Sequence, residues 1–238
     1  MSLFAGFFSI VSVFDGEFSR ASWAIIVALL FDNLDGRMAR VTRSSSRFGL
    51  EYDSLTDLVS FGVAPAILVY VWALKPFGKL GWLAGFLYLA GAALRLARYN
   101  VQVEKVESKT FNGLPSPAAG CVVATTVLFY HYLGGSEVER SLLVLFLIFV
   151  LAFLMVSGVR YHSFKELHLL QRRPVSTLFI LVLILVLVAA EPVLMLFSLF
   201  YLYMFSGIVE SALQLFRRAA PKKVEKAEAP GSYGPSGK

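Results

Sequence analysis

Long apolar segments dominate this chain and limit the folds it can adopt. Six predominantly apolar segments are about as long as the roughly 20 residues that a helix needs to cross a bilayer. They are residues 50–72, 80–100, 115–133, 141–159, 174–190 and 193–216. Of the 238 residues, 57% are hydrophobic and only 16% are charged, a balance that soluble domains rarely tolerate. We therefore predict an all-α integral membrane protein.

Two further segments near the N-terminus extend this pattern. Residues 21–41 are apolar in their first half and carry Asp32 and Asp35 in the second. Residues 3–14 are too short to cross a full bilayer, so they form either an incomplete helix or one that lies partly in the interface. The prediction is a bundle of about eight transmembrane helices, the first of them short.

The distribution of Lys and Arg predicts the orientation of the bundle. With both termini in the cytoplasm, the inner segments hold 18 of the 22 basic residues. The outer loops hold only Arg20, Lys75, Lys79 and Arg140. Such an excess is typical of cytoplasmic loops. It explains the net charge of +6 without nucleic acid and predicts a protein of the cytoplasmic (inner) membrane.

The chain is predicted to form one transmembrane domain, residues 1–220, followed by a tail. Residues 221–238 are polar and rich in Pro, Gly and Lys. That composition predicts a disordered cytoplasmic end.

Four carboxylates interrupt the apolar pattern around one predicted cytoplasmic loop. Asp32 and Asp35 are three residues apart, and Asp53 and Asp57 are four apart, so each pair shares a helical face. One helix runs inward and the next outward, which gathers all four groups in the inner part of the bundle. Ionisable groups at that depth are costly unless they are paired, metal-bound or hydrated. Salt bridges to neighbouring arginines are one explanation, but oxygen donors from two helices suit a hard divalent cation better.

Small residues accompany the acids. Gly36 and Ala39 follow the first pair along the same helix, and Gly49 precedes the second pair. Missing side chains allow either close helix packing or access for a flat ligand. Beside a metal site, we favour ligand access.

The spacing of these residues resembles the complete signature of the CDP-alcohol phosphotransferases. All eight signature positions match: Asp32, Asp35, Gly36, Ala39, Arg40, Gly49, Asp53 and Asp57. Members of that family are integral membrane enzymes that use divalent metal to displace CMP from a CDP-linked lipid or alcohol. The resemblance implies that Asp32, Asp35 and Asp53 hold a pair of Mg²⁺ or Mn²⁺ ions. It implies that Asp57 is the general base and an additional candidate ligand, and it places Gly36, Ala39, Arg40 and Gly49 around the nucleotide and its diphosphate.

Three stretches outside the signature look like the phosphatidylserine synthases of bacteria and archaea within that family. They are YDSLTDLVSFGVAPA (52–66), LRLARYNV (94–101) with FNGLPSPAAG (111–120), and VSGVRYHSFK (156–165). This likeness implies CDP-diacylglycerol as donor and L-serine as acceptor. We favour direct displacement of CMP, with a covalent phosphatidyl-enzyme as the alternative that the sequence leaves open. It suggests a set of residues that bind the acceptor or the lipid phosphate: Arg95, Arg98, Asn112, Ser116, Arg160 and Lys165.

Each of these candidates also has a plainer explanation. The basic side chains can anchor helices at the inner interface, and Asn112 can cap a loop. Ser116 is a natural N-cap with Pro117 at the first helical position.

Several alternatives remain open at this level. The acceptor can be glycerol 3-phosphate or an inositol phosphate, and the donor an archaeal ether lipid. A cation-coupled transporter is the rival of a different class, but transporter sites favour the bilayer midplane, whereas these acids flank an inner loop. Small residues on the helix faces make a homodimer plausible.

Overall fold

The chain is helical almost throughout the part that its computed structural model describes, which comprises residues 1–41, 47–103, 111–135, 141–161 and 190–219. The helices are α1 (Ser2–Phe14), α2 (Phe18–Val41), α3 (Arg47–Asp57), α4 (Ala64–Val69), α5 (Lys79–Val103), α6 (Ser116–Tyr132), α7 (Leu142–Val156) and α8 (Pro192–Ala219). Two short antiparallel strands, β1 (Phe111–Asn112) and β2 (Arg160–Tyr161), pair with each other. The predicted all-α class is confirmed.

Within the described residues, three helical stretches are long and apolar enough to cross a membrane, namely Phe48–Phe77, Lys79–Val101 and Pro192–Val209. They coincide with three of the segments predicted from hydropathy. The total of eight spans and the cytoplasmic termini stay predictions. The predicted span 174–190, except for its last residue, and the predicted tail lie outside the described residues.

The helical rod from α3 through α4 is irregular in a specific way. Beyond Asp57 it widens into a π-helical segment, Leu58–Val63, and it widens again at Tyr70–Leu74 beyond α4. The hydroxyl of Tyr88, a fully buried side chain on α5, donates a hydrogen bond of 3.0 Å to the carbonyl of Phe61. Wide turns of this kind occur frequently at functional sites. The first one begins at the residue that follows Asp57.

Small side chains allow the helices to approach closely. α2 packs against α1 and α6, α5 packs against α7, and α8 packs against α6. Fully buried alanines lie at these contacts, among them Ala21, Ala28 and Ala119. A Cβ atom at Gly120 on α6 would lie 3.3 Å from the Cα of Phe61, so only a glycine fits without movement. Close packing through small residues is characteristic of membrane helices.

The turn between β1 and α6 is fixed by backbone hydrogen bonds. Gly113, with φ of 90°, donates its N–H to the carbonyl of Val159 at 2.8 Å. The N–H of Leu114 donates to the carbonyl of Leu154 at 3.0 Å. These bonds hold the start of α6 against the end of α7, and this position determines where Ser116 lies.

Candidate active site

A cavity of about 660 Å³ lies between α2, α3, α5, α6 and α8. This volume is typical of pockets that bind small molecules. Its polar lining residues are Asp32, Asn33, Asp53, Asp57, Arg95, Tyr99 and Tyr203. Three of the four predicted acids and one predicted acceptor residue therefore share a single cavity.

The carboxyl groups form one electrostatic cluster. The carboxyl groups of Asp32 and Asp57 lie close enough to interact with each other, and both also interact with the charge of Asp53. Asp35 is half exposed and interacts electrostatically with Asp32 and Asp53 from the outer side of the cluster. Its Oδ2 atom lies 3.3 Å from the amino group of Met1. The four acids that the sequence placed at one end of the bundle are thus brought together from α2 and α3.

The chemistry of this cluster fits a divalent cation. Among the described side chains, no three Asp, Glu, His or Cys residues are positioned as a preformed metal site. The carboxylates nevertheless crowd each other, and carboxylates so close repel unless a proton or a cation lies between them. The Oδ1 atom of Asp57 is buried and has no hydrogen-bond partner among the described atoms. These carboxylate oxygens are available as ligands for Mg²⁺ or Mn²⁺. A bound cation would also offset the repulsion between them.

Glycine positions flank the acids in the described part of the site. A Cβ atom at Gly36 would meet no described atom within 4 Å, so this glycine is not explained by helix packing in the described part of the chain. Gly49 is exposed, before the second pair. Ala39 and Arg40 lie in the final turns of α2, but their side chains are outside the described part. Space at Gly36 agrees with the interpretation that a ligand approaches the backbone here.

Arg95 is held in the cavity by Ser116. The Nη1 atom of Arg95 donates a hydrogen bond of 3.0 Å to the Oγ atom of Ser116, which is fully buried. The Nε atom of Arg95 is buried without a partner among the described atoms, and the guanidinium attracts the carboxylate of Asp57. One edge of the guanidinium is therefore fixed while part of its donor capacity remains unused.

The prediction that Ser116 caps α6 was wrong. Pro115 is the N-cap, with an extended backbone at φ −57° and ψ 134°, and Ser116 and Pro117 are the first two helical residues. The reason is that the hydroxyl of Ser116 is directed to the guanidinium of Arg95 rather than to the helix backbone.

The other acceptor candidates lie elsewhere. Arg98 donates from Nη1 to the carbonyl of Val156, 3.0 Å away at the end of α7, and does not line the cavity. Asn112 and Arg160 face each other in the β1–β2 pair, with side chains outside the described part. Lys165 lies outside the described residues altogether.

Sequence reasoning missed the bond between Asn100 and Ser54 and the part that the last helix plays at this site. The side-chain amide of Asn100 donates to the Oγ atom of Ser54 at 2.9 Å and so links α5 to α3 beside Asp53. The last helix contributes Leu199, Phe200 and Tyr203 to the cavity wall. The two tyrosines within this apolar segment, Tyr201 and Tyr203, were the signal that could have pointed to α8.

Comparisons with known proteins show which proteins this chain resembles. Residues 1–154 match the profile of the CDP-alcohol phosphatidyltransferase family. The chain is 39% identical, over 212 residues, to a CDP-diacylglycerol–serine O-phosphatidyltransferase of Helicobacter pylori, a match that covers 87% of this chain and 86% of that protein. It is 38% identical over 159 residues to an archaetidylserine synthase of Methanothermobacter thermautotrophicus, which covers 66% of this chain and 64% of that protein. It is 40% identical over 134 residues to a CDP-diacylglycerol–serine O-phosphatidyltransferase of Saccharomyces cerevisiae, covering 50% and 48%.

Proposed function

Since the chain belongs to the CDP-alcohol phosphatidyltransferase family, we propose that it is a phosphatidylserine synthase. It transfers a phosphatidyl group from CDP-diacylglycerol to L-serine and releases CMP. The observation that carries the proposal is the single cavity in which the signature acids meet Arg95. The likeness to serine transferases over most of the chain supports the choice of acceptor.

The acids are proposed to hold divalent metal, which the family uses. Asp32, Asp35 and Asp53 would be the ligands of two Mg²⁺ or Mn²⁺ ions, joined by Asp57. The metal would neutralise the diphosphate of the donor, which a bare cluster of carboxylates would repel, and would stabilise the charge that develops during displacement. Gly36, Ala39, Arg40 and Gly49 would surround the nucleotide and its phosphates.

Asp57 is proposed to act as the general base. Its Oδ1 atom has no other hydrogen bond among the described residues and can accept the proton of the serine hydroxyl. The serine oxygen then forms a bond to the phosphorus that carries the diacylglycerol. The bond from that phosphorus to the oxygen bridging to CMP breaks, and CMP leaves with the electron pair.

Arg95 is proposed to bind the carboxylate of serine. A guanidinium offers planar, charge-assisted hydrogen bonds that match a carboxylate. Its attachment to Ser116 keeps it on the same cavity as Asp57, so one end of a small amino acid can be held while its hydroxyl meets the base. The remaining candidates are proposed only as residues that contact the lipid phosphate or the acceptor. They are Arg98, Asn112, Arg160 and Lys165.

The membrane setting follows the same proposal. The Lys and Arg distribution supports an active site that faces the cytosol from the inner membrane, with the bilayer supplying the lipid donor. A homodimer through small-residue helix faces belongs to the proposal as well.

A serine transferase that uses an ether-linked donor is the second candidate. The similarity to the archaetidylserine synthase favours it. Both candidates share the acceptor chemistry and differ only in the donor tails.

The test measures CMP release by detergent-purified protein with Mg²⁺ or Mn²⁺, comparing L-serine, glycerol 3-phosphate and an inositol phosphate. We expect serine-dependent release that falls by about 10²-fold or more in Asp57→Asn, because the loss of a general base typically costs 10²–10⁴-fold. Glu51→Gln is the matched control, since Glu51 is an exposed acid on the same helix outside the cavity lining. Release driven by another acceptor, or an unaffected Asp57→Asn enzyme, would overturn the proposal. Acyl and ether donors compared in the same assay separate the two candidates.

A further inference from the structure

Two serines flank Asp57 along the helical rod that carries it. Ser54 lies three residues before Asp57 on α3, and Ser60 lies three residues after it in the π-helical segment Leu58–Val63. Each serine side chain is hydrogen-bonded to a different neighbouring helix. The Oδ1 atom of Asp57, between them, has no hydrogen bond among the described atoms, so its position depends on how the rod itself is held.

Ser60 is fully buried against α1. Its Oγ atom donates a hydrogen bond of 3.1 Å to the carbonyl of Ser2 and lies 3.4 Å from the Oγ atom of that residue. A Cβ atom at Gly6, one turn further along α1, would lie 2.8 Å from the Cα of Ser60. The two backbones are therefore as close as glycine permits, and α1 leaves the rod little room to shift at this point.

Ser54 is attached to α5. Its Oγ atom accepts a hydrogen bond of 2.9 Å from the side-chain amide of Asn100. The same Oγ atom lies 3.2 Å from two acceptors, the Oδ1 atom of Asn100 and the carbonyl of Leu50. Asn100 is on the same helix as Arg95, so this contact joins the helix of the acids to the helix of the cation.

The wide turn after Asp57 makes the rotation of the rod sensitive to register. The N–H of Ala64 bonds to the carbonyl of Val59, five residues back, where an α-helix would use the carbonyl four residues back. Moving this wide turn to the other side of Asp57 would shift the residue by one position against its neighbours. A shift of one position turns a helical side chain by about 100°. The carboxylate would then point away from Asp32 and Arg95, with which it now interacts.

We propose that Ser54 and Ser60 are positioning residues for Asp57. They fix the register of the rod on both sides of this residue, Ser54 against α5 and Ser60 against α1, and so keep its carboxylate turned toward Asp32 and Arg95. The inference rests on the proposed function, because it takes Asp57 to be the general base. Neither serine lines the cavity, so both act through Asp57 and not by touching a substrate.

The test removes each hydroxyl and measures CMP release at varied L-serine and CDP-diacylglycerol. In Ser54→Ala and in Ser60→Ala we expect kcat to fall about tenfold, because misplacing a reacting group by about 1 Å can cost 10²-fold and the correct register stays partly populated. Both KM values should stay at the wild-type level, since Arg95 keeps its bond to Ser116. Ser22→Ala, at a buried serine on α2 whose hydroxyl bonds to its own helix, is the matched control. Ser54→Thr keeps the hydroxyl and should keep the wild-type kcat.

Combination with Asp57→Asn separates positioning from a general loss of structure. A residue that acts through Asp57 loses its effect once the base is gone, so Ser60→Ala should lower the kcat of the Asp57→Asn enzyme by less than about twofold. A defect spread over the fold would lower kcat by the same factor in both backgrounds. That result, an effect confined to KM, or a wild-type kcat in either alanine variant would overturn the inference.

Hydrogen–deuterium exchange of the backbone amides in residues 50–63 tests the same attachment without turnover. Each alanine variant should exchange about fivefold faster than wild type, the factor that one neutral hydrogen bond typically supplies. Ser22→Ala and Ser54→Thr should exchange at the wild-type rate. If Asp57→Asn is fully active, or if no acceptor releases CMP, the proposed function fails while the exchange rates still decide whether the serines hold the rod. Unchanged exchange in the alanine variants would refute the inference.

Discussion

Replacing Ser116 with Ala tests the link between the fold of α6 and the choice of acceptor. Ser116 accepts the hydrogen bond from Nη1 of Arg95 at 3.0 Å, and its side chain is fully buried. Without the hydroxyl, Arg95 loses the contact that aims it into the cavity. The substitution also removes one oxygen without leaving a large void, so the effect should fall on the guanidinium.

The size of the effect on serine binding follows from the positive charge of Arg95, which donates this hydrogen bond. Hydrogen bonds to charged groups contribute roughly 1.5–3 kcal/mol, and the lower end applies because the guanidinium keeps its attraction to Asp57 when the hydroxyl is lost. About 1.4 kcal/mol is a factor of ten in binding, so the KM for L-serine should rise about tenfold. An interaction used equally in the ground state and the transition state raises KM and leaves kcat unchanged. The KM for CDP-diacylglycerol should not change.

Steady-state CMP release at varied L-serine measures this prediction. Ser22→Ala is the matched control, because the hydroxyl of this buried serine on α2 donates only to the carbonyl of Phe18 in its own helix. Ser116→Thr keeps an oxygen at the same atom position and should recover most of the serine affinity. An unchanged KM for serine in folded Ser116→Ala, or a rise confined to the lipid donor, would refute the reasoning.

Two further predictions concern stability, measured as thermal unfolding in detergent. Gly113→Ala should destabilise the fold by about 3 kcal/mol, because a side chain at φ of 90° is strained and its Cβ would collide with the carbonyl oxygen of Met155. Gly158→Ala, where a Cβ meets no described atom within 4 Å, should be neutral, and equal melting temperatures for the two variants would contradict this account. Tyr88→Phe should cost about 1–2 kcal/mol, since it removes the hydrogen bond that the buried hydroxyl gives to the carbonyl of Phe61. An unchanged melting temperature for Tyr88→Phe would show that this bond does not stabilise the π-helical turn.

The parts of the site that were predictable from sequence depend on local periodicity. Asp32 and Asp35, like Asp53 and Asp57, are one helical turn apart, and the helix alone puts each pair on one face. Only residues 42–46 separate α2 from α3 in the sequence, so the two pairs stay near each other. To predict that these acids cluster, it was enough to know where the helices begin and end, and the hydropathy pattern supplied those boundaries.

The contacts that were missed depend on which face each helix turns toward the cavity. The first 18 residues of α8, Pro192–Val209, contain no charged residue, because lipid and protein interior favour the same side chains. Its sequence predicts a span but not that Leu199 faces the cavity while Leu202 faces outward. The bond between Arg95 and Ser116 joins residues 21 apart on two helices, and the local capping pattern at Ser116 pointed to a different partner. The π-helical turn after Asp57 has no signature in the sequence.

The most direct test of the central claim counts the metal ions bound by the carboxylates. Electron paramagnetic resonance of Mn²⁺, titrated into purified protein with CMP present, reports binding without requiring turnover. The account predicts a pair of bound ions in the wild type and in Glu51→Gln, with at least one lost in Asp32→Asn and in Asp53→Asn. Wild-type binding in both of those aspartate variants would contradict the claim that these acids form the metal centre.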